Sequence, residues 1–239
     1  MEIQIGVTKT SSYTAQSSRE TFELMERPNG GHSIVFCNAQ KDGERSKAVS
    51  SLIVNKVLGL ITDGIRDGAA IRAIADLIYQ TYDGAASARL SVISYDLESG
   101  TLVISRNTTT PVYYAQRGKI FVWKGDSYPI GGSKHIQPTI TEIPIEAGTM
   151  VCALSEGVVN AGKAYGKEMD IPMLLQSMTD DYDEVTAQDV SNLVLEQAIE
   201  MDQKQPHDDM CVIVLRVMSN IAGKIRRSSW TCPIPNFYY

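Results

Sequence analysis

The order of apolar segments predicts an α+β fold. Three observations carry this. Strand-like runs open the chain, two helical blocks follow, and a long series of short strands then precedes two more helices and one last strand. Glycines such as Gly100 and Gly118 mark turns too short to join parallel strands, so the central series reads as antiparallel meander. The regular strand–helix alternation of a doubly wound sheet is absent. Sheet segments should pack together, with helices outside.

The elements follow from local pattern. "EIQIGV" alternates in polarity, and "TFELMER" and "HSIVFCN" flank the Pro28–Asn29–Gly30–Gly31 turn as a hairpin. Val49, Ile53, Val57 and Leu60 recur at helical spacing behind Ser46, a helix-capping residue type. "DGAAIRAIADLIYQTY" forms a second helix with Ala70, Ile74, Leu77 and Ile78 on one face. Six strands are then predicted: "ARLSVISYD", "GTLVISRN", "PVYYAQ", "KIFVWK", "TITEIPI" and "TMVCALS". "IPMLLQSM" and "AQDVSNLVLEQAIEMD" read as helices, the second amphipathic through Val190, Leu193, Val194 and Met201. "MCVIVLRV" is nearly all apolar, which suits a strand central in its sheet. The acidic "TDDYDE" reads as a solvated loop between helices. A single domain over residues 1–217 is expected, with residues 218–239, basic and aromatic in character, as an extension that packs back or meets a partner.

Composition narrows the class. The chain has 239 residues, 43% hydrophobic and 21% charged, with a net charge of −6. The acidic balance argues against phosphate-tracking nucleic-acid binding. No apolar run approaches the roughly 18 residues a membrane span needs, and no basic-then-apolar leader is visible. Of four cysteines, Cys37, Cys152 and Cys211 lie in apolar strands, and none forms a CxxC pair with another or with Cys232. Buried thiols in a reducing, cytoplasmic compartment are the expectation.

The stretch "TMVCALSEGVVNAGKA" offers two chemistries. Gly157 to Lys163 matches the first seven positions of a phosphate-binding GxxxxGK[ST] loop, but Ala164 lacks the hydroxyl that would ligate magnesium. Gly166 and Pro172 leave no room for the long helix such a loop needs, and the surrounding strands are antiparallel. A P-loop is rejected. Glu156 is then the residue of interest, held on a turn after an apolar strand.

Other strand ends share that design. "FCNAQKDG" ends a strand at Asn38, with Asp42 four residues on; Asp208 and Asp209 precede the last strand; Glu20 precedes "TFEL". Acidic groups from several strand ends on one rim suit an oxygen-ligand site for Mg²⁺ or Mn²⁺. Turns are rich in acids in any case, so spacing alone leaves both readings open.

Read in order, these pieces resemble the metal-dependent protein phosphatase 2C (PPM-type) superfamily, in its bacterial stage II sporulation protein E branch. "IVFCNAQKDGERSKAVS" stands where that family has a strand ending in Asp-Gly before two helices. "RLSVISYDLESGTLVISRN" matches its Ser-Val-x-Ser-x-Asp strand, Pro129–Ile130–Gly131 its Pro-Ile-Gly turn, Ser155–Glu156–Gly157 its second Asp-Gly, and Asp208–Asp209 its last acidic pair. The resemblance implies two stacked antiparallel sheets flanked by helices, two Mn²⁺ or Mg²⁺ ions, and a metal-bound water attacking phosphoserine or phosphothreonine in line. It further implies a phosphorylated regulatory protein such as an anti-anti-sigma factor as substrate, and leaves a homodimer open.

The departures fall on the implied metal ligands. The first Asp-Gly aligns with Asn38–Ala39, Glu156 is one methylene longer than Asp, and Ser18–Arg19–Glu20 stands where the family has Ser-Gly-Asp. Asp208 matches outright, Asp209 lies beside it, and Asp42–Gly43 is a substitute if the loop shifts register. A neutral Asn lowers the charge that holds a divalent ion. The leading reading is a metal-dependent serine/threonine phosphatase of weakened activity, in which Asn38→Asp should raise turnover sharply; the alternative is a pseudophosphatase that binds a phosphoprotein or partner without turnover. Among lesser candidates, His207 beside Asp208, Lys163 and the Arg226–Arg227 pair read as surface residues, and Tyr113, Tyr114 and Trp123 as sheet packing.

Overall fold

The structure is a computed structural model describing residues 1–124, 127–179, 185–219, 223 and 225–233. Its strands are β1 (Glu2–Thr10), β2 (Thr21–Glu26), β3 (Gly31–Lys41), β4 (Glu44–Arg45), β5 (Ala86–Asp96), β6 (Thr101–Asn107), β7 (Val112–Gln116), β8 (Lys119–Trp123), β9 (Thr139–Pro144), β10 (Met150–Leu154) and β11 (Met210–Met218). The helices are α1 (Lys47–Thr62), α2 (Asp67–Tyr82), α3 (Glu156–Val159), α4 (Ile171–Thr179) and α5 (Ala187–Met201). One sheet runs β1-β11-β10-β7-β8 and the other β2-β3-β5-β6-β9, with β4 hairpinned onto β3, and every pairing is antiparallel.

Strand periodicity builds three apolar layers from these two sheets. In β3, Val35, Cys37 and Ala39 face α1 and α2, whereas Ile34 and Phe36 face the other sheet. In β5, Ala88, Leu90 and Val92 meet the helices and Ile93 turns inward. In β10 and β11, Met150, Cys152, Leu154, Met210, Val212 and Val214 pack under α4 and α5, and Val151, Ala153, Cys211, Ile213 and Leu215 fill the space between sheets. The result is the helix–sheet–sheet–helix sandwich that the family resemblance implied. β11 is flanked on both sides and buried along its length, as its apolar sequence predicts.

Helix ends follow capping chemistry. The Ser46 side chain accepts from the Val49 N–H at 3.3 Å. Thr186 and Asp189 form a reciprocal capping box at the start of α5. Two expected apolar faces are corrected. Leu77 and Leu193 are exposed, because the buried stripes run through Ala70–Ile71–Ile74–Ala75–Ile78 and Ala187–Val190–Ser191–Val194–Ala198. At about 100° per residue both leucines lie well off those centres. The central strands are also not one meander: the chain passes from β6 to β7 in the other sheet and returns for β9.

Tyr114 stacks on Trp123 with ring centroids 4.7 Å apart, so these aromatics do belong to sheet packing. Most of the acidic "TDDYDE" stretch lies outside the described residues. In the C-terminal extension Trp230 rests against Phe22 of β2, with ring centroids 5.4 Å apart, and Arg226 pairs with Glu26. Among the described residues no helix is long and apolar enough to cross a membrane.

α5 crosses β1 at Gly6, where an added Cβ would stand 2.3 Å from the Ala187 carbonyl oxygen. Gly6→Ala is therefore expected to lower unfolding stability by about 1–3 kcal/mol, measured by urea denaturation. A loss no larger than that of Gly59→Ala, in α1, where the surroundings are open and φ is ordinary, would contradict this close approach.

Candidate functional site

Five strand ends deliver the site. Glu20 immediately precedes β2, Asn38 lies near the end of β3, Arg89 near the start of β5, Glu156 opens α3 directly after β10, and Asp208 and Asp209 precede β11. Strand parity decides their direction: Asn38 continues the inward row of Ile34 and Phe36, and Arg89 that of Ile93. Asn38 and Arg89 are directly opposed partners across β3 and β5. Glu156 does not sit on a simple turn. It is the first residue of α3, whose next residue, Gly157, leaves room for the Asp209 carbonyl oxygen 2.2 Å from where a Cβ would be.

Each carboxylate already has a protein partner. The Asn38 amide donates to Glu20 Oε1 at 3.0 Å. Arg45 pairs with Asp208 and lies 3.9 Å from Glu20 Oε1. Arg89 Nε stands 2.9 Å from Glu156 Oε1. Asp209 is fully buried; it accepts from the Ser12 and Arg19 backbone N–H groups at 2.9 and 2.7 Å, with Arg19 Nε 3.5 Å away. Ser155 locks the far wall, its hydroxyl accepting from the Cys211 N–H at 2.9 Å and donating to the Asp209 carbonyl. A small cleft between the sheets is lined by Glu20, Asn38, Arg89, Ser91, Ser155 and Glu156, among others.

The buried carboxyl of Glu20 is pushed up to about 8, first by loss of water and then by the charges of Asp209 and Asp208, against the opposing pull of Arg45 and Asn38. Three guanidinium groups thus face four carboxylates, and near neutral pH Glu20 holds a proton. The rim is close to charge-balanced from within. Burial raises the thiols of Cys37, Cys152 and Cys211, which makes them poor nucleophiles.

Residues 28–218 match the family model described as stage II sporulation protein E (SpoIIE). The chain belongs to the SpoIIE family. It is 18% identical over 218 residues to stage II sporulation protein E of Priestia megaterium, covering 91% of this chain and 37% of that protein. It is 22% identical over 214 residues to its Bacillus subtilis counterpart, covering 85% of this chain and 24% of that protein. The chain thus spans well under half the length of these relatives. Among solved structures, the PP2C phosphatase domain of SpoIIE from Bacillus subtilis with a fragment of its regulatory domain superposes with a TM-score of 0.72 at 19% identity, covering 91% of this chain and 64% of that one. The catalytic domain of the serine/threonine phosphatase PstP in complex with two manganese ions superposes at 0.70 with 12% identity, covering 91% of this chain and 99% of that one. The fold is that of the PP2C phosphatase domains.

SpoIIE membership implies divalent ions, and the residues present fit them poorly. At position 38 the neutral amide spends its N–H on Glu20, leaving one oxygen, Oδ1, without a partner. The Ala39 carbonyl, an expected ligand, accepts from the Ser46 N–H at 2.9 Å. Among the described residues no group of three or more His, Cys, Asp or Glu is placed to hold a metal ion. Asp42 is not brought to the others. Asp42 and Gly43, at φ 53° and 82°, form the two-residue turn of the β3–β4 hairpin, and Asp42 is exposed at its tip. That hairpin is why β3 continues past Asn38, where the strand was expected to end.

His207 is half exposed, its Nδ1 3.4 Å from Asp202 Oδ2, and Lys163 bonds Asn160 at 2.8 Å. The sequence reading did not single out Arg45 or Arg89. For Arg89 a signal existed: a cation at an inward-facing position of the alternating strand "ARLSVISYD" needs a buried partner.

Glu20 ionises near 4.5 ordinarily and near 8 in the fold, so the folded chain binds more protons between those values. Stability is expected to be greatest, in this respect, below about 4.5 and to fall as pH rises towards 8. Glu20→Gln should flatten that slope and raise stability at pH 8.5 by about 1–3 kcal/mol. An unchanged slope across pH 5 to 8 in urea titrations would show that Glu20 is not the group responsible.

Proposed function

We propose that this SpoIIE-family chain is a phosphatase-fold module that binds a phosphorylated regulatory protein without metal-dependent turnover. The reading rests on one observation: the residue in the place of the family's first aspartate is Asn38, hydrogen-bonded to Glu20, while arginines engage the remaining carboxylates. With three guanidinium groups set against four carboxylates, little negative charge is left to hold a divalent ion and to make a metal-bound water acidic enough to attack phosphorus. A small phosphoprotein such as an anti-anti-sigma factor is the partner class that suits a member of this family.

A second reading has its own support. Glu20 and Glu156 line the cleft, Asp208 and Asp209 stand at the neighbouring start of β11, and the similar PstP domain is known with two manganese ions. On that reading the chain is a slow Mn²⁺- or Mg²⁺-dependent serine/threonine phosphatase.

Phosphate release from a phosphoserine protein, titrated with Mn²⁺ and Mg²⁺, separates the two. The expected result is no metal-dependent release by the wild type above an Asp208→Ala control, together with retained binding of the phosphoprotein in EDTA. Metal-dependent release by the wild type that vanishes in Asp208→Ala would establish the phosphatase instead.

A further inference from the structure

The cation that the cleft contains is Arg89. It projects from β5 on the face between the sheets, directly opposite Asn38 in the β3–β5 register. Directly opposed residues of an antiparallel pair stand about 5 Å apart at Cβ, so the guanidinium stem passes beside the Asn38 amide. Its Nε then reaches Glu156 Oε1 at 2.9 Å, and Glu156 follows β10 of the opposite sheet. The side chain therefore ties one sheet to the other across the mouth of the cleft that Glu20, Asn38 and Glu156 line. An aspartate at position 38 would place a second carboxylate against the same guanidinium. With asparagine there, the arginine is matched to Glu156 alone.

We infer that Arg89 is the resident cation of the SpoIIE-type cleft in this chain: its guanidinium neutralises Glu156 and bridges the sheets, and so excludes a divalent ion from this position. Positions 38 and 89 then form a charge pair, neutral opposite cationic, and neither can be altered alone to build a metal site. A divalent ion entering between residue 38 and Glu156 would meet a fixed positive charge and lose Glu156 as a ligand. The inference rests on the proposed non-hydrolytic reading and explains it at one residue. It also changes what Asn38→Asp does: the added carboxylate pairs with Arg89 before it can serve a metal.

Mn²⁺ binding by the full chain tests this, read by isothermal titration and by the shift of the melting temperature with and without Mn²⁺. The wild type, Asn38→Asp, and the doubles Asn38→Asp/Arg89→Ser and Asn38→Asp/Arg89→Lys are compared, with folding checked by circular dichroism in EDTA. The Ser double is expected to bind Mn²⁺ at least tenfold more tightly than Asn38→Asp, and the Lys double, which keeps the charge, to remain as weak as Asn38→Asp. Arg89→Gln replaces Arg89→Ser if the serine double does not fold. Equal Mn²⁺ affinity in Asn38→Asp and the Ser or Gln double, or a Lys double that binds Mn²⁺ as tightly as the Ser or Gln double, overturns the role of Arg89, as does the absence of Mn²⁺ binding in every double. Since the readout is binding in variants, its failure is separable from the discovery of turnover in the wild type.

Discussion

The period-two alternation of four strands is the constraint on which the rest of this molecule depends. β3, β5, β10 and β11 each send one row of side chains to the helices and the other row into the space between the sheets. The inner row is apolar through much of the sandwich and turns polar towards the site end, at Ser91, Asn38, Arg89 and the residues that border β10 and β11. Shifting any of these strands by one residue would carry its site residue to the helix side and its apolar row into the wrong layer. The packing of the core and the geometry of the cleft are therefore one property.

Within that frame the cleft is held by charge. Asp209 is fully buried, and backbone N–H groups of Ser12 and Arg19 satisfy its two oxygens. Those bonds fasten the segment after β1 and the segment before β2 to the start of β11, so this carboxylate is as much a clasp as a candidate ligand. Arg45 joins Asp208 to Glu20 from the short β3–β4 hairpin, and Arg89 joins Glu156 from β5. The protein supplies positive charge to this rim itself, from Arg45 of β4, Arg89 of β5 and Arg19 in the segment before β2.

The hairpin at Asp42–Gly43 shows how one local change propagates. Positive φ at both turn residues sets a tight two-residue loop, which extends the β3 ladder through Lys41. That extension commits the Ala39 carbonyl to Ser46 and points Asp42 to solvent. It also brings Arg45 back along the strand towards Glu20 and Asp208. The substitution at Asn38 and the Asp42–Gly43 turn, which look separate in the sequence, meet in this one piece of backbone.

Much of this was legible in the sequence. Alternating and helical periodicities located the principal strands and helices, Ser46 marked the start of α1, the all-apolar "MCVIVLRV" gave a strand flanked on both sides, and the ordered motifs gave the family. Those signals are local, set by side-chain chemistry along a few turns or a few pleats. Tertiary structure decided what depends on distant segments meeting. The centre of each helix's buried stripe, and so the exposure of Leu77 and Leu193, was fixed by the sheet each helix covers. The passage of the chain between sheets at β6 to β7 was fixed by which strand edges were free to pair. The partnership of Arg89 with Glu156 and of Arg45 with Asp208 joins residues 67 and 163 positions apart. No local pattern encodes such a meeting, because it exists only once two sheets have closed over a shared apolar layer.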